Sequence, residues 1–381
     1  MTAAVEPYDV VVVGGGQAGL AAAWHLRRHG LRFLVLEAAG ELGHSWRTRW
    51  ESLRLFTPAE YDALPGQPFP APAGTYPGKD AVADYLRRYA AAFDLPVELG
   101  ARVTGLQRTD AGFQVSTTER RYIARAVIVA TGPFQTPFVP PPAAGLDASV
   151  TQVHSAAYRS PDALPAVPTL VVGGGNSGFQ IAEELAATRP VELSIGSASP
   201  ALPQRLLGRD LFWWLTRLRL MRVTAGSRLG RRMQTRGESL LIGTSRRGLG
   251  RAGVRFRPRL VDTAGRTVRF ADGTSREVGV VVWATGYRPD YSWIDVPGVL
   301  RDGRVVHARG VTEVPGLYFL GLSWQHTRGS ALLGFVADDA AHVAAHVAAH
   351  AARTAAATTR GQVPAPRGAP ELRAASPHIR T

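Results

Sequence analysis

The chain has 381 residues, 45% of them hydrophobic and 19% charged, with no cysteine and a formal charge of +14. This length allows two or three domains, and the missing cysteines exclude a disulfide scaffold, a Cys-ligated metal and a CxxC redox pair. The charge would suit a nucleic-acid partner, but it is local: Arg217 to Arg259 hold 13 arginines and one acid, Glu238, and the rest is near neutrality, so no nucleic-acid partner is expected.

The opening MTAAVEPYD lacks the basic and apolar regions of a secretory signal. No apolar run is long enough to span a bilayer, so a cytoplasmic protein without membrane association is expected. Asp9 to Val13, Gln17 to His29 and Arg32 to Glu37 read as strand, helix and strand around a glycine turn, the signature of a parallel βαβ unit. Gly14-Gly15-Gly16-Gln17-Ala18-Gly19 fits GxGxxG in the context that motif requires. Gly14 permits the tight turn, Gly16 lets the backbone approach a pyrophosphate, and Gly19 lets the helix pack on the strand. Gln17 and Ala18 open the helix, whose free N–H groups face an anion. Glu37 ends the next strand, where a carboxylate binds both ribose hydroxyls and disfavours a 2′-phosphate.

Pro- and Gly-rich loops follow from Thr57 to Gly78, then a helix over Asp80 to Phe93 and strands ending in Ala130-Thr131-Gly132. The Pro-dense stretch Phe134 to Gly145 reads as a linker. A second βαβ unit opens at Thr169 with Gly173-Gly174-Gly175-Asn176-Ser177-Gly178, and its next strand ends at Ile195-Gly196-Ser197 without an acid. A 2′-phosphate is tolerated there, which favours NADPH, with Arg205 or Arg209 within reach of it. A strand pair turns at Ala271-Asp272-Gly273, and a second ATG stands at Ala284-Thr285-Gly286. GLYFLG follows, then an Ala-rich helix from about Ser330, and a Pro-rich tail over 361–381 that reads as disordered.

The repeat of glycine turn and ATG predicts an α/β fold with two Rossmann-like dinucleotide-binding domains, the second inserted in the first. The expected bounds are 1–160 and 285–355 for a flavin-dinucleotide unit and 161–284 for an NADPH unit. The opposite chemistry at the two strand ends points to two different nucleotides, FAD and NADPH, whose reactive rings would meet between the domains.

The motif order resembles the class B flavoprotein monooxygenases, most closely their bacterial flavin-containing-monooxygenase-like branch, some members of which are linked by name to potassium transport. The matching pieces include GGGQAGL, GHSWRTRWESLRLFTP (Gly43 to Pro58), LPGQPFP, VATGPFQTP, QVHSAAYR, GGGNSG, LGRDLFWWL, ATGYRPD and GLSWQHTRGSALLG (Gly321 to Gly334), which together run from residue 8 to about 345. The resemblance implies FAD contacts at Trp46, Arg47, Thr57 and Gly321, and domain crossings at Ala130, Thr131, Gly132, Thr285 and Gly286. It implies a hinge at His154, Ser155 and Tyr158, polar groups at the flavin edge in Gln325, His326 and Arg328, and a helix beyond Trp324 whose positive end faces the flavin.

Two departures stand out. The Baeyer–Villiger fingerprint expects Phe and Gly where Ala148 and Val150 precede His154, which points away from ketone-to-ester oxygenation. Pro58 follows Thr57 where eukaryote-like members carry an Asn that helps position flavin and NADP.

The leading reading is an NADPH-dependent monooxygenase that oxygenates a small organic substrate with O2. An NADPH oxidase or dehydrogenase without oxygen insertion, and a non-catalytic flavoprotein sensor or transport subunit, stay open as alternatives. A thiol–disulfide reductase lacks its cysteines. His342, His346 and His350 recur at helical spacing but read as a helix face, so no metal is expected, and Asp338-Asp339 read as helix surface. Asp210 to Met221 read as a lid over the substrate channel, with a dip into a membrane interface as the alternative.

Overall fold

Four consecutive valines suit a strand buried on both faces, which is how a central parallel strand reads. The computed structural model describes residues 7–197, 200–235 and 241–361. The chain runs through β1 (Tyr8–Val13), α1 (Gln17–Arg28), β2 (Phe33–Leu36), a short α2 (His44–Arg47) and α3 (Lys79–Ala92). It continues through β3 (Val97–Glu98), β4 (Val103–Thr109), β5 (Gly112–Thr117) and β6 (Arg121–Val129). β1 lies between β2 and β6, parallel to both. Its valines alternate between two cores: Val10 and Val12 pack with α1, α3 and the C-terminal helix, Val11 and Val13 with Phe113, Val115 and Phe319. Each fully buried valine contributes roughly 1.5–3 kcal/mol.

The long β6 belongs to two arrangements. Arg121 to Ala124 pair antiparallel with β5, whereas Val127 to Val129 pair in parallel with β1 and with Leu317–Phe319. A meander is thereby grafted onto the nucleotide-binding sheet.

Past β6 come β7 (Thr136–Pro137), β8 (Thr151–His154), β9 (Thr169–Val172), α4 (Asn176–Ala186) and β10 (Val191–Ser194). The second sheet is wholly parallel, in the order Arg255–Arg257, β10, β9, Val280–Trp283, β8. β8, which the sequence-based bounds put in the first unit, is therefore an edge strand of the second sheet. The crossing falls at the proline-rich stretch before β8, where β7 pairs antiparallel with Tyr287–Arg288, so the outgoing and returning strands lie side by side.

Helices α5 (Leu211–Arg217), α6 (Arg228–Thr235) and α7 (Arg246–Arg251) follow in the basic region. The final helix, α8 (Ala337–Gly361), starts later than Ser330. Leu333–Phe335 form a 3-10 turn instead, in which Gly334 sits against the Tyr61 carbonyl, where a Cβ would overlap it. Asp339, expected on the surface, is buried and ion-paired to Arg309 at 2.9 Å. His346 is exposed while His342 and His350 are half-buried, and among the described residues no three metal-ligating side chains converge. No helix among them is long and apolar enough to cross a membrane. The expected tail lies outside the described residues, apart from Gly361.

Candidate active site

The sequence repeat of glycine turn plus ATG has a direct physical cause. Gly14 has φ +109°, and a Cβ there would stand 2.6 Å from the carbonyl oxygen of Ala130. Gly173 has φ +136°, and a Cβ there would overlap the carbonyl of Ala284. Each turn is thus packed against the first residue of its own ATG, at the carboxyl ends of adjacent parallel strands where α/β sheets bind ligands. Gly19 and Gly178 lie behind the turns, each against the carbonyl of the first glycine, so they set helix–strand packing. Gly16 has open space on its Cβ side and faces the cleft.

Both turns open onto one cleft of about 1680 Å³. That is larger than the roughly 300–1,000 Å³ of a single small-molecule site. Its first-sheet side is lined by Gly14, Gly16, Gln17, Ala18, Glu37, Trp46, Ala130, Thr131, Gly132 and Gly321. Its second-sheet side is lined by Gly173, Gly175, Asn176, Ser177, Thr285 and Gly286, and Arg328 joins them from the segment before α8. Trp324, held at φ +56°, and Val336, the residue before α8, also line it.

Glu37 is held by two backbone donors: Gly15 N–H to Oε2 at 2.7 Å and Ala39 N–H to Oε1 at 2.9 Å. A carboxylate has about four lone-pair sites, so capacity for ribose hydroxyls remains. The open approach at Gly16, the helix N-terminus at Gln17 and this oriented carboxylate together fit a dinucleotide with an unphosphorylated ribose.

Other expected contacts are not in the cleft wall. Arg47 turns away to Asp84 at 2.9 Å, Glu41 at 3.2 Å and Asp80 at 3.4 Å, because α3 presents two of these carboxylates behind α2. Thr57 is buried and donates to Asp62 Oδ1 at 2.5 Å, leaving Phe56 to face the cleft. Gln325 is buried and accepts from Leu322 N–H at 3.3 Å, and the backbone of His326 accepts from Ala225 N–H at 2.7 Å. Of the three flavin-edge candidates only Arg328 reaches the cleft. Arg205 sits on the exposed hairpin Arg205–Leu206/Arg209–Asp210, donating to the Gly208 carbonyl at 3.3 Å.

At the strand end without an acid, the neighbouring cation is Arg259. It is exposed, and its Nη2 donates to the Gly196 carbonyl at 3.2 Å. Gly196 and Ser197 line the cleft. Sequence reasoning missed Arg259 because only the parallel pairing of Arg255–Arg257 with β10, and no local motif, carries it to Gly196.

The crossings are tied by polar bonds. Gln135 donates to Thr131 Oγ1 at 2.8 Å and to the Gly132 carbonyl at 2.9 Å, and accepts from Asp290 N–H at 2.7 Å. Thr285 donates to the Phe138 carbonyl, and Arg49 to the Tyr287 hydroxyl. His154 Nδ1 accepts from Ala156 N–H at 3.1 Å, so Nε2 carries the proton and donates to the Gly286 carbonyl at 3.0 Å. Burial pushes the His154 pKa below its ordinary value, against the opposing effect of that bond. Ser155 lines the cleft, while Tyr158 is buried and donates to Glu184 at 2.9 Å. Of the proposed lid, Phe212, Leu215 and Met221 line the cleft.

The family model for Pyridine nucleotide-disulphide oxidoreductase matches residues 11–199. An uncharacterized CzcO-like oxidoreductase of Geobacillus kaustophilus is 42% identical, over 88% of this chain and 97% of its own. The chain belongs to the CzcO-like oxidoreductases, within the class B flavin monooxygenase-like family. A flavin-containing monooxygenase from Stenotrophomonas maltophilia shares the CzcO-like fold, with a TM-score of 0.76 and 30% identity over 91% of this chain and 99% of that one. Indole-3-pyruvate monooxygenase YUCCA1 of Oryza sativa subsp. japonica is 29% identical, over 85% of this chain and 86% of its own. This CzcO-like chain is accordingly an FAD-dependent oxidoreductase of a family that pairs FAD with NAD(P)H. Without cysteine it has no dithiol of its own for disulfide chemistry.

Proposed function

We propose that the chain is an NADPH-dependent monooxygenase of a small organic substrate, with FAD on the turn at Gly14 and NADPH on the turn at Gly173. The observation that carries this is the single cleft onto which both glycine turns and both ATG crossings open. Bound FAD supplies a two-electron carrier that is reduced by a nicotinamide and reacts with O2.

The chain's own residues bind, orient and exclude water. Glu37, fixed by Gly15 and Ala39, holds a ribose without a 2′-phosphate. Arg259 is the cation we assign to the 2′-phosphate of NADPH, in place of Arg205. The Gln135 bonds tie the outgoing crossing to the returning one, and the His154 bond ties the end of β8 to the second ATG. Phe212, Leu215 and Met221 close the substrate side against water. The FAD unit ends at the proline-rich stretch and resumes at residue 285, and a cytoplasmic location is part of this reading.

An NADPH oxidase is the second reading, favoured by Thr57, whose hydroxyl is spent on Asp62. Peroxide release in air separates the two. Slow NADPH consumption with little peroxide, in the absence of substrate, supports the monooxygenase. Rapid consumption with a matching yield of peroxide supports the oxidase.

A further inference from the structure

Arg328 is a half-buried cation with no hydrogen bond, ion pair or ring contact to any described residue. Other arginines in the cleft wall differ: Arg49 is held by the Tyr287 hydroxyl and Arg54 by the Tyr76 carbonyl, while Arg102 is exposed. Burial alone holds the Arg328 pKa below its ordinary value, and no carboxylate offsets it. Desolvating a charge without a partner is costly, so such a group is kept where an external anion completes it.

Its position is fixed from both sides in sequence. Thr327 pairs with Thr224, and Ser330 Oγ accepts from the N–H groups of His326 and Thr327, each at 3.0 Å. The surroundings are apolar. Phe212 and Met221 form a buried cluster against which Phe56, Leu215 and Leu332 pack, and all five line the same cleft as Arg328. One cation beside an aromatic and aliphatic wall matches a ligand with one anionic end and an apolar body. A guanidinium meets a carboxylate through two parallel N–H donors, a geometry no other side chain reproduces.

We propose that Arg328 anchors the carboxylate of an amphiphilic organic-acid substrate whose apolar body lies against Phe56, Phe212, Leu215, Met221 and Leu332. This names the substrate class of the site and rests on the monooxygenase reading above. The competing source of the same anionic chemistry is a cofactor phosphate, and the test separates the two.

The yellow holoenzyme is titrated by calorimetry with 3-phenylpropionate and with its uncharged amide, neither of which needs to turn over. The wild type is expected to bind the acid at least about tenfold tighter than the amide, a conversion of about 1.4 kcal/mol. Arg328→Met should erase that preference, and Arg328→Lys should keep part of it. Without ligand, Arg328→Met should melt no lower than the wild type, since it removes an unpaired charge. Equal binding of acid and amide by the wild type, no binding of the acid, or a preference that survives in Arg328→Met overturns the proposal. So does a lower melting point of that variant, which reveals an internal partner. Loss of flavin, or a tenfold fall in affinity for NADP, assigns the guanidinium to a cofactor phosphate and overturns it as well. Failure of the monooxygenase reading would instead appear in NADPH oxidation, which these titrations do not use.

Discussion

His154 Nε2 donates to the Gly286 carbonyl at 3.0 Å, joining the end of β8 to the second ATG at the point where the chain leaves the second sheet. Protonation would keep that bond but break the one from Ala156 N–H to Nδ1, and burial also favours the neutral ring. The folded pKa lies below the free value of 6.5, so the stabilisation is complete above about pH 6.5 and is lost as pH falls through the folded value. Urea unfolding at pH 5.5 and pH 8 measures this. His154→Phe should cost about 1 kcal/mol at pH 8 and show a shallower loss on acidification. His25 and His307, also pushed down by burial, keep some slope in both proteins. Identical slopes would contradict the assignment.

Asp62 works in the opposite direction. It is buried, one oxygen accepts from Thr57 and Oδ2 has no partner, and burial pushes its pKa from 3.8 to about 7. A carboxyl raised in the folded state costs stability as pH rises from about 4 to about 7, and the cost then stays constant. Asp62→Asn should therefore melt higher than the wild type at pH 8, by up to about 4 kcal/mol on the linkage constant, and close to it at pH 4.5. A gap of equal size at both pH values would rule the ionisation out as the cause.

Arg259 should decide the choice of nicotinamide. Arg259→Ala is expected to raise the KM for NADPH roughly 10- to 100-fold, the loss of one or two charge-assisted hydrogen bonds, and to leave that for NADH nearly unchanged. Arg205→Ala should move neither, because its guanidinium is held to the Gly208 carbonyl on an exposed hairpin, whereas Arg259 is held at Gly196, which lines the cleft. An NADPH effect confined to Arg205→Ala would reverse the assignment.

Glu37→Arg should yield a colourless protein. It removes the acceptor for Gly15 and Ala39 and puts a cation where a ribose is to bind. Flavin released by denaturing equal amounts of variant and wild type quantifies this. A variant that keeps its flavin would show that the first turn holds another ligand.

Much of the fold was legible because its signals are local. The valine run of β1, the glycines and Glu37 each report on their own neighbourhood, and the ATG repeat reports on Ala130 and Ala284, whose carbonyls the turns rest on. What stayed hidden depends on distant partners. Arg47 looked like a cleft residue until α3 brought Asp80 and Asp84 to it. Asp339 looked exposed until Arg309 met it. β8 changed sheets because pairing with Val280–Trp283, not sequence proximity, decides membership. Arg259 reaches Gly196 across 63 residues, beyond any motif.

The most direct test mixes the purified yellow protein with a stoichiometric amount of NADPH without oxygen and follows the flavin absorbance. Prompt, complete bleaching by NADPH, slower with NADH, is the expected result. A flavin that stays oxidised, or that NADH reduces faster, would contradict the pairing of FAD at Gly14 with NADPH at Gly173.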